Sequence, residues 1–193
     1  MDSEDRVLSR RFRSSSMRND DIAEWVEGCL SEAGAGFSSL KSILVGIGPG
    51  SFTGIRIAMA FAQGLAFPHD LPMHGFTSFS ALLLSHASRE PDSSFAVIPA
   101  NSGRFYVAQG LKDAGALLEP EALRQLGGEK KTILVHEDSA SLDSVRSAFG
   151  EIVGLGDGLD LPALARHART SGKGAHQPYY LQSPAAEIRL AAP

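Results

Sequence analysis

The chain has 193 residues, 43% of them hydrophobic and 21% charged, and a formal net charge of -4. This balance excludes a fibrous or disordered chain, and the length suits one sizeable domain or two small lobes with their own core. Cys29 is the only cysteine, so no intrachain disulfide can form, and the acidic balance gives no overall attraction for nucleic acid.

Met1 to Arg13 is charged throughout and lacks the apolar stretch of a signal peptide. Arg6, Arg10, Arg11, Arg13 and Arg18 cluster here and read as a solvated strand end and loop. Val7 to Phe12 is expected as a short edge strand. A helix is expected from Asn19 to Ala33, capped by Asn19 or Asp20 and closed by Gly34 and Gly36. Ile22, Trp25, Val26, Cys29 and Leu30 make its apolar face. Ser42 to Ile47 reads as a buried strand, Thr53 to Phe67 as a helix stopped by Pro68, Pro72 to Phe76 as a strand and Thr77 to Ala87 as a helix. Phe95 to Pro99 and Arg104 to Gln109 read as a hairpin around Asn101 to Gly103. Further on, helices are expected at Glu119 to Leu126, Ser139 to Phe149 and Leu161 to Thr170, with strands at Thr132 to His136 and Ile152 to Leu155. From Ser171 the tail reads as extended and tied down around Tyr179 to Leu181. Strands alternating with helices, with a hairpin among them, predict an α/β class with mixed sheets. The expected organisation is residues 1–88, a smaller unit 89–170 and a tail 171–193. The longest strongly apolar segment, Ile55 to Phe67, falls short of the roughly 20 residues needed to cross a bilayer, so a cytoplasmic protein without a membrane partner is expected.

The informative stretch runs from Gly46 to Ile57 and joins a strand end, a tight turn and a helix start. Gly48 and Gly50 permit backbone angles closed to other residues, Pro49 fixes one angle between them, and Ser51 or Thr53 can cap the helix. Converging backbone N–H groups make a potential anion site. Yet no lysine completes a Walker A loop, Ser51 stands where a dinucleotide fingerprint needs glycine, and the serine is one position early for a nucleophile elbow. A tight packing turn therefore outweighs a phosphate site. The following helix carries Ile55, Ile57, Ala58, Met59, Ala60, Phe61, Ala62, Leu65, Ala66 and Phe67 all around its axis, which predicts burial on every side. Either another protein or the chain's own second layer could cover the outer side. Ala58, Ala60, Ala62 and Gly64 would let a second helix approach closely.

Gly46, Gly48, Pro49, Gly50, Ser51, Phe52, Thr53, Gly54 and Arg56, followed by Ala62-Gln63-Gly64-Leu65-Ala66, closely resemble the signature of the bacterial TsaB (YeaZ) family. Pro72, Gly75, Thr77-Ser78-Phe79, Phe105-Tyr106 and Pro178-Tyr179-Tyr180-Leu181 continue the likeness in order. The resemblance implies an actin/Hsp70-like (ASKHA, ribonuclease H-like) fold of two related lobes. It implies a subunit that is not catalytic by itself and supports a TsaD-like transferase in making N6-threonylcarbamoyladenosine at position 37 of tRNA. It further implies heterodimers with the TsaD-like paralogue, a TsaE-like ATPase as a third component, homodimers when alone and only indirect contact with tRNA. Pairing would use the two helices, through Trp25, Cys29, Ile57, Ala60, Phe61, Gly64 and Leu65. ATP or ADP would lie at the complex interface rather than in this chain alone.

The family opens with an apolar strand, an Asp-Thr-Ser turn and a second strand, whereas this sequence starts with Met1-Asp2-Ser3-Glu4-Asp5 near that second strand, so an N-terminally shortened fold is expected. Pro99-Ala100-Asn101 and Gln182 also depart from the family's Asp-Ala-Arg and arginine. A nucleotide-binding enzyme of the same fold is the alternative reading, and a glycoprotease-like peptidase a distant third. His69, His74, His86, His136, His167 and His176 form no metal-binding pair, and neither a catalytic nor a metal residue is assigned.

Overall fold

The computed structural model describes residues 6–10, 22–85, 94–126, 132–135, 151–154, 158–171 and 174–181. The first helix, α1 (Ile22–Glu32), ends as expected at Gly34. Gly34 takes φ 63°, its N–H reaches the Ser31 carbonyl at 3.0 Å, and the Ala35 N–H reaches the Leu30 carbonyl at 2.9 Å. That paired return of the chain satisfies the last helix carbonyls. The expected capping residues Asn19 and Asp20 lie outside the described residues. The edge strand expected at Val7 to Phe12 does not form over residues 6–10, which join no sheet. Side chains fix this segment instead: Ser9 Oγ donates to Glu32 Oε2 at 2.5 Å, and Arg10 Nη2 donates to the Leu159 carbonyl at 3.1 Å.

Strand β1 (Ile43–Gly48) leads through the turn into α2 (Phe52–Ala66), and β2 (Met73–Thr77) returns to pair with β1 in parallel. One face of α2 covers this pair. Val45 and Ile47 of the strand meet Ile55, Met59 and Ala62 of the helix, and Ala175 of the tail closes the cluster. Helix α3 (Ser78–Ser85) follows at once, opened by Thr77, whose Oγ1 accepts the Ser80 N–H at 3.1 Å.

The remaining strands are β3 (Phe95–Pro99), β4 (Phe105–Gln109), β5 (Ala116–Leu118), β6 (Thr132–Val135) and β7 (Glu151–Gly154). They form one mixed sheet in the order β5-β4-β3-β6-β7, antiparallel through β5-β4-β3 and parallel through β3-β6-β7. The hairpin turns at Asn101–Gly103, as its Asn-Ser-Gly sequence requires, with Ser102 at φ 62°. Helix α4 (Pro120–Leu126) inserts Leu123 among Phe95, Val97, Phe105 and Val107. Helix α5 (Leu161–Thr170) has the expected bounds, and the structure supplies its cap: Asp160 Oδ1 accepts the Ala163 N–H at 2.9 Å, and Pro162 sits in the first turn. Helix α3 bridges the sheets. Its Phe79, Leu82 and Leu83 pack on Ala96 and Ala108, while α5 packs against α3 and β2. The helix expected at Ser139 to Phe149 lies outside the described residues. Among the described residues, no helix is long and apolar enough to cross a membrane.

Candidate functional site

The turn after β1 is crowded on one side. Gly48 sits at φ 105°, and a Cβ there would stand 2.7 Å from Ile55 Cδ1 and 3.0 Å from the Tyr179 carbonyl oxygen. Only glycine fits this spot. The Gly48–Pro49 peptide is cis. Of the two candidate caps, Ser51 acts: its Oγ accepts the Gly54 N–H at 3.3 Å. The space beside Gly48 is thus filled by the chain's own side chains and tail, which is the packing reading of this turn.

The tail reaches the turn through the two tyrosines its sequence singled out. The Tyr179 N–H donates to the Ile47 carbonyl at 2.8 Å, and the Tyr179 hydroxyl donates to the Ala114 carbonyl. Burial raises the Tyr179 phenol above its ordinary 10.0, and the nearby Asp113 carboxylate adds to the shift. Asp113 itself is held in place, accepting the Gln109 and Gly115 N–H groups at 2.7 and 2.8 Å. Tyr180 stacks on Phe52 with ring centroids 5.0 Å apart and planes 29° apart. The Arg56 guanidinium lies 3.9 Å over the same Phe52 ring, and Arg56 Nε donates to the Tyr180 hydroxyl at 3.1 Å. Sequence reading missed this cluster. The spacing of Phe52 and Arg56, one helical turn, was visible; their partner Tyr180, 124 residues beyond Arg56, was not.

The chain alone does not bury helix α2 on every side, so of the two covers its composition left open, the described residues do not supply the second layer. Ile55, Met59, Ala62 and Ala66 form the buried stripe. Arg56, Ala60, Gln63 and Gly64 are exposed, and Phe67 just past the helix is 90% exposed. Ile57, Phe61 and Leu65 are half-buried along the edges. Among the described residues, α3 and α5 pack on β2 and toward the larger sheet rather than on this outer side. Helix α1, by contrast, has no fully buried residue; Trp25 and Cys29 are half-buried on it. At the C-terminal end of α2 an open groove of about 730 Å³ is lined by Gln63, Gly64, Phe67, Leu71, Met73 and His176, a feature with no clear sequence signal. The described residues contain no cluster of three or more histidine, cysteine or acidic side chains that could hold a metal.

Chemically, the arrangement offers a tight structural turn, a tail locked onto it and a helix face of small and apolar side chains open to solvent. A family model described as TsaD, tRNA N6-adenosine threonylcarbamoyltransferase, matches residues 14–119, more than half of the chain. The chain is 32% identical over 127 residues to the tRNA threonylcarbamoyladenosine biosynthesis protein TsaB of Escherichia coli K12, covering 58% of this chain and 54% of that protein. It is 30% identical over 93 residues to the TsaB of Haemophilus influenzae, covering 48% and 39%. The chain therefore spans about half, or less, of the length of these relatives. A crystal structure from Pseudomonas aeruginosa, described as similar to peptidase YeaZ, superposes with a TM-score of 0.68 at 26% identity, over 86% of this chain and 85% of that one. The mixed sheets and their helices are those of the actin/Hsp70-like (ASKHA) architecture that the resemblance implied. The chain belongs to the family of this TsaD model, in its TsaB (YeaZ) branch.

Proposed function

We propose that the chain is the partner subunit of a TsaD-type transferase in the synthesis of N6-threonylcarbamoyladenosine at position 37 of tRNA, and that it lacks catalytic activity of its own. The observation that carries this reading is the uncovered outer face of α2, with Ala60 and Gly64 exposed and Phe67 standing 90% free. A helix of this composition leaves apolar surface in water unless another protein covers it. Small residues at Ala60 and Gly64 permit the 8–10 Å interaxial approach of a packed helix pair. The half-buried Trp25 and Cys29 of α1, with Ile57, Phe61 and Leu65 of α2, extend the surface. In this reading the β1–β2 half and the five-stranded half are the two lobes, the complex is cytoplasmic, a TsaE-like ATPase joins it, and the same face closes a homodimer when the partner is absent. Contact with tRNA is through the partner. Co-expression with the TsaD-type protein of the same organism, followed by size exclusion, tests it. A shared peak is expected, and separate elution of two folded proteins overturns the reading.

A further inference from the structure

Arg56 is the one charged residue in the fifteen of α2, and it stands on the exposed face one and two helical turns before Ala60 and Gly64. Anything that packs over Ala60 and Gly64 therefore covers Arg56 as well. Two contacts hold the guanidinium in place: it lies over Phe52 at 3.9 Å, and its Nε donates to the Tyr180 hydroxyl at 3.1 Å. Tyr180 is itself held by its 5.0 Å stack on Phe52 and by the anchoring of Tyr179 to the Ile47 carbonyl. With Nε engaged, Nη1 and Nη2 make no hydrogen bond to the described residues, and α2 contains no acid that could serve. A cation fixed in this way and covered without a counter-charge would strongly oppose docking.

We propose that Arg56 is the charged anchor of the pairing face, that its Nη1/Nη2 end receives a carboxylate from the TsaD-type partner, and that Phe52 and Tyr180 are the positioning residues that aim it. The inference rests on the reading of α2 as the pairing helix. It specifies that partner's chemistry: small residues opposite Ala60 and Gly64, and an aspartate or glutamate level with the first turns of α2. Arginine suits the role because its planar fork binds a carboxylate through two parallel hydrogen bonds, which a lysine cannot reproduce.

Calorimetry with the purified TsaD-type partner at low and high salt tests the anchor, using Arg56→Gln, Arg56→Lys, Tyr180→Phe and Ala60→Arg in the full chain. Arg56 and Ala60 are exposed, so substitutions there leave the core intact, Tyr180→Phe keeps the half-buried ring that packs on it, and circular dichroism checks each fold. Arg56→Gln is expected to weaken binding roughly 30-fold and to flatten its salt dependence. Arg56→Lys keeps the salt dependence but regains only part of the affinity. Tyr180→Phe weakens binding several-fold, roughly, with the salt dependence retained. Wild-type affinity for Arg56→Gln, while Ala60→Arg fails to bind, overturns the anchor and leaves the pairing helix standing. Wild-type affinity for Ala60→Arg overturns the pairing helix itself. If Arg56→Gln changes only self-association, measured by sedimentation of the chain alone, the carboxylate belongs to a second copy and the proposal falls.

Discussion

Gly64→Arg separates the surface of α2 from its stability more cleanly than any other substitution. Apart from its chain neighbours and the backbone of its own helix, no heavy atom of the described residues lies within 4 Å of a Cβ built at Gly64, which sits inside α2. In the free chain the new side chain therefore enters solvent. Replacing a helix-interior glycine removes a backbone entropy cost of about 0.5–1 kcal/mol, so the isolated protein should be as stable as wild type or melt about 2–4 °C higher. In the complex the same side chain would put a bulky, unpaired cation against a packed helix, at a cost of about 3–5 kcal/mol. That corresponds to a loss of affinity of at least about 100-fold. Differential scanning calorimetry of the free variant and titration calorimetry with the TsaD-type partner measure the two quantities independently. Gly64→Ala is the control, with the stability gain and little change in affinity. Unchanged affinity for Gly64→Arg would refute the assignment of this face. A fall in melting temperature would refute the claim that Gly64 opens onto empty space, and any loss of binding would then say nothing about the interface.

Two further substitutions address the turn and the tail. Gly48→Ala forces a side chain to φ 105° and within 2.7 Å of Ile55 Cδ1, so it should cost at least about 1–3 kcal/mol, read as a lower urea midpoint at unchanged slope. An unchanged midpoint would mean that the turn relaxes freely. Tyr179 gives a pH test: its raised phenol pKa means that the folded state holds the neutral form more strongly than the unfolded state does. Its contribution is full below pH 10 and is lost as the pH rises through the folded value, so stability should fall on the alkaline side. Tyr179→Phe should lower stability at neutral pH by at most about 1 kcal/mol, because the Ala114 carbonyl it releases is exposed and turns to water, and should remove that part of the alkaline slope. Identical slopes for the variant and wild type would refute the assignment.

The parts legible in sequence are those whose determinants are local. Helix α5 forms over the expected Leu161 to Thr170, and the groups that start it, Asp160 and Pro162, are local to it. The turn at Gly48 was readable because its glycines and proline are adjacent. Strand β5, three residues long, carries no period of its own and exists because β4 offers it a ladder from Phe105 to Val107. The run Val7 to Phe12 has a strand-like pattern, but over residues 6–10 no ladder accepts it, and Ser9 and Arg10 are held by distant groups instead. Helix α2 shows the limit most plainly. Its composition says that apolar surface surrounds the axis, yet composition cannot say which side the chain itself covers. Ile55, Met59 and Ala62 find the sheet, while Ala60 and Gly64 stay exposed.

The turn and the open face are mechanically one unit, and this explains why so short a run carries both. The absence of a Cβ at Gly48 lets the Tyr179 carbonyl approach. That approach delivers Tyr180 onto Phe52, and Phe52 with Tyr180 holds Arg56 at the head of the exposed stripe. A change at Gly48 should therefore be felt twice, once in folding and once in the aim of Arg56. Partner affinity of Gly48→Ala, corrected for the fraction of chain that is folded, should remain several-fold weaker than wild type. If the corrected affinity equals that of wild type, the turn serves folding alone, and the tail does not set the geometry of the face.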